Sequence, residues 1–373
     1  MSLNQKIRKR GQVEITFNWV YILIAGAVIL LFFVGIVFKQ KAISEEHLST
    51  DVVRIMESIF TAAQSSEKTK SSIPVGGLSD KTFYFHCEDG VGEYGLEGLS
   101  VRVQNSLYPL FAPSSVKSSR LILWSLPYIL PFKITDFLMV TSINHYYYFL
   151  GEGQGFSDEF IRGAIDLKDP SVSIKAEKVL LIEEITLKNS PAQVRIIDAE
   201  GFLTDGARIP ANLQTIKDED LTAVSFIGQS LNFFRKQGSV WSRLNSQPIS
   251  IVSAADERAA KYAAVFTEDP DIYLCNMQKA YRRIKLIAEI YGSKLDELKT
   301  YYQSAGESGS CLGFIDGFTE AEGNIKDTLT IYKNKAAACA LLADNSCLEV
   351  VDSAEQLRAL NENLAEECSI TFY

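Results

Sequence analysis

The sequence predicts a mixed α+β fold: a single N-terminal transmembrane helix with a stalk, an antiparallel β-rich section, an α/β unit and C-terminal helices. Three observations carry that prediction. Residues 18–38 (NWVYILIAGAVILLFFVGIVF) hold no charge. Short runs of aromatic and β-branched residues fill 83–150 and recur between 179 and 253. After Pro270 an apolar repeat of three and four residues continues for some thirty residues. These features divide the chain into a cytoplasmic basic leader (1–17), a transmembrane helix (18–38), a stalk helix (39–70), a β-rich domain (71–155), an α/β domain (156–265) and a disulfide-stapled helical region packing on it (266–373).

As a helix, 18–38 reaches roughly 31 Å at about 1.5 Å per residue, the thickness of one hydrocarbon core. Lipid offers no partner to backbone N–H and C=O groups, so a lone spanning segment must be helical. The lipid bilayer is therefore the expected partner of this stretch. Lys6, Arg8, Lys9 and Arg10 precede it, whereas Lys39 and Lys41 follow. That excess places the N-terminus in the cytoplasm and the C-terminal domain outside the cell.

Within the leader, Lys9 and Arg10 are followed by Gly11 and then by Gln12 at the start of the apolar segment. This pattern resembles the class III signal peptides of archaeal type IV pilin-like and archaellin-like proteins. The resemblance covers roughly the first forty residues. It implies cleavage after Gly11 by a prepilin-type peptidase, retention of the apolar helix on the mature chain, and filament subunits as partners. The chain departs from the family in placing Glu14 third and Thr16 fifth in the mature numbering, where the family carries Glu fifth. Glu14, Thr16 and Asn18 also interrupt the apolar start. An uncut basic anchor flank is the alternative reading. The whole chain also resembles large membrane-anchored proteins of small-genome archaea, which implies a cell-surface role.

Six basic residues against Glu14 give residues 1–41 a charge of +5, leaving −14 on the rest of a chain that totals −9. An acidic head of this kind does not suit nucleic acid as a partner. All six cysteines, Cys87, Cys275, Cys311, Cys339, Cys347 and Cys368, fall outside the apolar run, in the compartment where disulfides persist. Up to three bridges are expected, with the pairing open and four cysteines crowded into the C-terminal region. No C-x-x-C occurs, and His86 beside Cys87 is the one near His partner, so neither a metal nor a cofactor is expected.

From Lys41 to about Ser66, Ile43, Leu48, Val52, Ile55, Met56, Ile59 and Phe60 form a broken apolar stripe, the stalk helix. Ser71–Gly77 breaks it. Phe83–Cys87, Leu99–Val103, Leu121–Ser125, Lys133–Thr141 and Tyr146–Leu150 read as antiparallel strands, separated by Pro109, Pro113, Pro127 and Pro131. The run from His145 to Phe149 offers either a binding platform or, since alternate strand residues face opposite ways, core. The glycine loop at Gly151, Gly153 and Gly155 places Phe156 where a dinucleotide fingerprint needs its third Gly, so it reads as a connection.

Val179–Ile185, Val194–Asp198, Ala223–Ile227 and Ile249–Ser253 read as strands, and Leu231–Arg235 as helix, in an α/β unit with a partly parallel sheet. In such a sheet the strand ends are where ligands bind, and Asp198, Glu200 and Asp205 lie there as solvated loop acids or cation ligands. Pro270 opens a long helix carrying Tyr281, Ile284, Ala288, Tyr291, Leu295, Leu298 and Tyr302 on one face. A helix over Asn324–Leu342 follows. Asp352 and Glu355 then form a capping-box-like start to a terminal helix bearing Leu357, Leu360 and Leu364 and ending at Cys368.

Only His47, His86 and His145 are available for general base work, and the common hydrolase and nucleotide-binding motifs are missing. Together these features lead to a membrane-anchored surface protein that binds or assembles, as a minor pilin-like subunit or an adhesin. The alternative is a tethered α/β domain that binds a small ligand or hydrolyses one beyond the strand ends near 198–205 and 228–232.

Overall fold

The computed structural model describes residues 23–35, 51–63, 69–99, 101–151, 155–166, 169–187, 193–254, 258–304, 310–317, 323–340 and 344–373. They belong to two compact units, 1–55 and 56–373. In the first unit, 23–35 are helical, with Leu23, Ile24 and every residue from Val28 to Val34 exposed. Among the described residues no helix is long and apolar enough to cross a membrane. This corrects the single N-terminal transmembrane helix expected over 18–38. The described helical stretch inside that run extends only about 20 Å at 1.5 Å per residue, short of a roughly 30 Å hydrocarbon core. Lys9, Arg10, Gly11 and Gln12 lie outside the described residues, as does 36–50 of the expected stalk.

The second unit is α+β. After the helical stretch 51–63 come β1 (Lys70–Pro74), β2 (Phe83–Glu88), β3 (Val91–Leu96), β4 (Arg102–Asn105), β5 (Leu110–Phe111), β6 (Ser115–Val116), β7 (Arg120–Ile129) and β8 (Lys133–Ser142). They form two four-stranded sheets, β1-β7-β8-β5 and the wholly antiparallel β4-β3-β2-β6. Strand β2 alternates, with Phe83, Phe85 and Cys87 buried, and Phe60 of the preceding helix packs its ring 5.1 Å from that of Tyr94 on β3. Pro127, expected to separate strands, instead sits inside β7 opposite Asp136. It is tolerated because β1 pairs with β7 only as far as Trp124, so at Pro127 one side of the strand needs no donor.

The third sheet contains β9 (His145–Leu150), β10 (Lys175–Val179), β11 (Gln193–Asp198), β12 (Leu221–Ile227), β13 (Ser230–Gln237), β14 (Val240–Arg243) and β15 (Ile249–Ser250), in the order β10-β9-β11-β12-β13-β14, with β15 on β13. Strands β10, β9, β11 and β12 are mutually parallel, and α1 (Phe156–Ala164) makes the crossover from β9 to β10. Thus β9, expected to be antiparallel with the preceding strands, is a parallel strand of the α/β sheet. Leu231–Arg235 is strand, not helix. Both faces of β13 are buried, so its apolar residues run together and hide the two-residue period.

Helices α2 (Ala259–Phe266), α3 (Pro270–Ser304), α4 (Ser310–Asp316), α5 (Ile325–Cys339) and α6 (Asp344–Cys368) complete the fold. The long helix α3 buries Tyr281, Ile284, Ala288, Leu295 and Tyr302, the expected face. At the start of α5 the Asn324 side chain accepts the Asp327 N–H. Helix α6 begins at Asp344, so Asp352 and Glu355 lie within it and cap nothing; Val350, Ala354 and Leu357 are buried along one continuous face. One large core joins the β1-β7-β8-β5 sheet, one face of the parallel sheet and the helices. The other face of the parallel sheet packs on Ile185, Leu203, Ile209 and Leu213.

Candidate functional site

All six cysteines are paired: Cys87 on β2 with Cys275 on α3, Cys311 on α4 with Cys368 at the end of α6, and Cys339 with Cys347 across the α5–α6 turn. Cys87 is therefore withdrawn from any metal site with His86, whose side chain is exposed beside Glu88.

The carboxyl end of the parallel strands is where an α/β sheet ordinarily binds ligands. Here the fully buried Asp198 ends β11 and accepts the N–H groups of Glu200 (3.2 Å), Gly201 (2.9 Å) and Leu203 (2.7 Å) and the Ser225 hydroxyl (2.7 Å). Its oxygens fasten their own loop. Asp205 accepts the N–H of Arg243. Among the described residues no three His, Cys, Asp or Glu side chains converge to hold a metal ion. The turn at 228–229 joins β12 to β13 tightly, with Gly228 at φ 60.

That edge instead exposes large apolar side chains. Leu180 and Leu181 follow β10, Phe202 follows β11, and Ile227 ends β12; each is 53–62% exposed. Successive strands lie about 4.8 Å apart, so this row spans roughly 14 Å. It is firmly held. The N–H groups of Leu180 and Leu181 donate to the Glu184 carboxylate, and the Asn212 amide donates to the carbonyls of Ile182, Glu183 and Ile185.

The aromatic run on β9 is core and not a platform: Tyr147 and Phe149 face the main core, Tyr148 the other side. At its start His145 is buried, with Nδ1 3.0 Å from the Ser142 hydroxyl and Nε2 3.6 Å from the Glu268 carboxylate. Beside it the buried Arg195 donates to the carbonyls of Ala264, Val265 and Thr267, closing the C-terminal end of α2. Burial lowers the Arg195 guanidinium to about 10, with Glu268 opposing the shift. Burial likewise raises the Tyr147 phenol, whose hydroxyl lies 2.6 Å from that of Thr141. Glu268 and Arg195 were not singled out from the sequence, because nothing near them marks them apart from the fold. Closed to solvent, the group fixes α2 on the sheet.

An open cleft of about 380 Å³ lies elsewhere, between the start of α3 and the segment leading into β15. Its lining includes Asn245, Gln247, Asp271, Tyr273, Tyr281 and Cys347. No sequence motif announces it, since its walls come from three separate stretches of chain. The chain matches no family model, no curated protein and no solved structure.

Proposed function

We propose that this is a cell-surface protein of binding or assembly type, working outside the cytoplasm and attached to a membrane through its apolar N-terminal stretch. A minor pilin-like subunit and an adhesin both fit that description. The observation that carries the reading is the row Leu180, Leu181, Phe202 and Ile227, apolar side chains exposed on the edge where an enzyme of this architecture would keep its polar site. Three disulfides support an oxidising compartment. The buried Asp198 of the same edge turns its carboxylate to its own loop, which argues against its serving a ligand or hydrolase site there.

A photo-activatable residue placed at Leu181 or at Phe202 of the full chain, in its native cells, is expected to give a discrete protein adduct. The same residue at the exposed Glu297 on α3 is expected to give none. No adduct at 181 and 202, or equal adducts at all three positions, overturns the reading. N-terminal sequencing of membrane-extracted protein tests its pilin-like form: a start at Gln12 supports it, and a retained Lys9-Arg10 leader removes it.

A further inference from the structure

The apolar edge of the parallel sheet carries an acidic rim. A Cβ added at Gly201 would lie 3.0 Å from Ile227 Cγ1, so Ile227 packs against the loop that bears Phe202. A Cβ added at Gly151 would lie 2.4 Å from the Glu200 carboxylate. Glu200 therefore sits over the end of β9, the strand between β10 with its leucines and β11 with Phe202. Exposed Glu183 and Glu184 follow the leucines directly. The cations Lys178 and Arg258 are taken by Asp158 and Glu159, at 3.2 and 2.7 Å.

A second apolar patch carries the opposite charge. On α3, Leu286 and Ile290 stand one turn apart on the same face, 58% and 60% exposed. Arg282 and Lys285 flank Leu286, both exposed, and the Arg282 guanidinium reaches only a backbone oxygen, the Asp89 carbonyl at 3.4 Å. Arg283 lies 5.5 Å from the Tyr108 ring, which brings to this face the loop bearing Leu107, itself 67% exposed. Within 282–290 three cations stand against one acid, Glu289. The stretch is about 12 Å long at 1.5 Å per residue, close to the roughly 14 Å of the row on the sheet edge. The two patches share no residue, and α3 packs on β2, β5 and β8, strands outside the parallel sheet. Edge against edge would set acid against acid, whereas edge against α3 sets acid against base.

We propose that the acidic apolar edge of one copy of this chain docks on residues 282–290 of α3 in a second copy. The proposal rests on the assembly reading above and names its partner. Because the contact joins two different surfaces, each added copy leaves one edge and one helix patch open, and growth runs head to tail unless a ring closes. Glu297, about 10 Å beyond Ile290 along α3, stays outside the contact, where its charge would oppose that of the edge.

The test expresses two full-length copies with different affinity tags in the native cells, one of them carrying the photo-activatable residue at Leu181. The expected adduct has twice the mass of the chain, bears both tags, and yields a crosslinked peptide from 282–290 or from the loop around Leu107. Lys285→Glu in the second copy should lower its yield at least about threefold. Adding Glu183→Lys to the first copy, which restores opposite charges, should raise the yield again. Both positions are exposed and form no ion pair among the described residues, so unchanged melting curves are expected for the two variants. An adduct only with another protein, an adduct with this chain mapped elsewhere, a yield unmoved by Lys285→Glu, or no recovery on adding Glu183→Lys would each overturn the proposal and leave the assembly reading standing. No adduct at either 181 or 202 overturns both.

Discussion

The three disulfides close loops of very different length, which allows the origin of their contribution to be tested within one molecule. Cys87 and Cys275 are 188 residues apart, Cys311 and Cys368 57, and Cys339 and Cys347 8. If a crosslink acts mainly by restricting the unfolded chain, its effect grows with the logarithm of loop length, giving about 5, 4 and 2.5 kcal/mol in turn. Burial differs little between the first and last pairs: Cys87 and Cys275 are 3% and 5% exposed, Cys339 and Cys347 0% and 8%. Replacing both members of each pair by Ala therefore removes similar packing, and the difference isolates the loop term. The Cys87–Cys275 change also removes the acceptor of the Gly90 N–H, which lies 3.3 Å from Cys275 Sγ, and this adds to its loss. In urea unfolding of the full chain, Cys87→Ala/Cys275→Ala should lose about twice what Cys339→Ala/Cys347→Ala loses. Equal losses, or a larger loss for the short loop, would refute the entropic account and place the effect in native contacts.

Three further outcomes follow from the interior. Asp198→Ala strands three backbone N–H groups and the Ser225 hydroxyl, and should cost at least about 3 kcal/mol in thermal or urea unfolding, against about 1 for Ser225→Ala. Phe160→Ala, at 0% exposure among the rings of Trp124, Tyr147, Phe149, Tyr262 and Phe266, should cost about 3–5 kcal/mol. Lys279 is 3% exposed, and burial lowers it to about 8 from an ordinary 10.5. Between those values the unfolded chain binds the proton that the folded chain has released, so stability should rise with pH across that window by about 3 kcal/mol. Urea midpoints measured from pH 8 to 10 should show this rise relative to Lys279→Met, and parallel curves for the two proteins would contradict it.

Periodicity made the helical half legible. The spacing from Tyr281 to Tyr302 marks the buried face of α3, and the helix expected over Asn324–Leu342 is α5, with Asn324 as its cap. Phe83–Cys87, Leu121–Ser125 and Lys133–Thr141 fall within β2, β7 and β8, whereas Leu99–Val103 overlaps β4 only at 102 and 103, and Val179–Ile185 meets β10 only at Val179. Two other failures share a cause: the local pattern was overridden by what lies on the far side of an element. Leu231–Arg235 lost its strand signature through burial on both faces, and Pro127 was admitted to β7 by a neighbouring strand that stops short. The charge-free run at 18–38 is plain in composition, yet among the described residues no helix is long and apolar enough to cross a membrane. The cleft was illegible for a simpler reason. Its walls at 244–250, 270–281 and 347 meet only after the sheet and helices have packed.

Buried polar residues usually attract functional interpretation, and in this protein most of them carry structural work instead. Asp198 binds its own loop, Asn245 holds the segment before β15, and Arg195 closes the end of α2; each satisfies backbone groups that would otherwise be left without partners in a dry interior. The bonds they make are directed at the chain itself. The contrasting groups are apolar: the leucines after β10 remain in water although their backbone N–H groups are tied to Glu184. That contrast separates groups that hold the fold together from groups that face solvent.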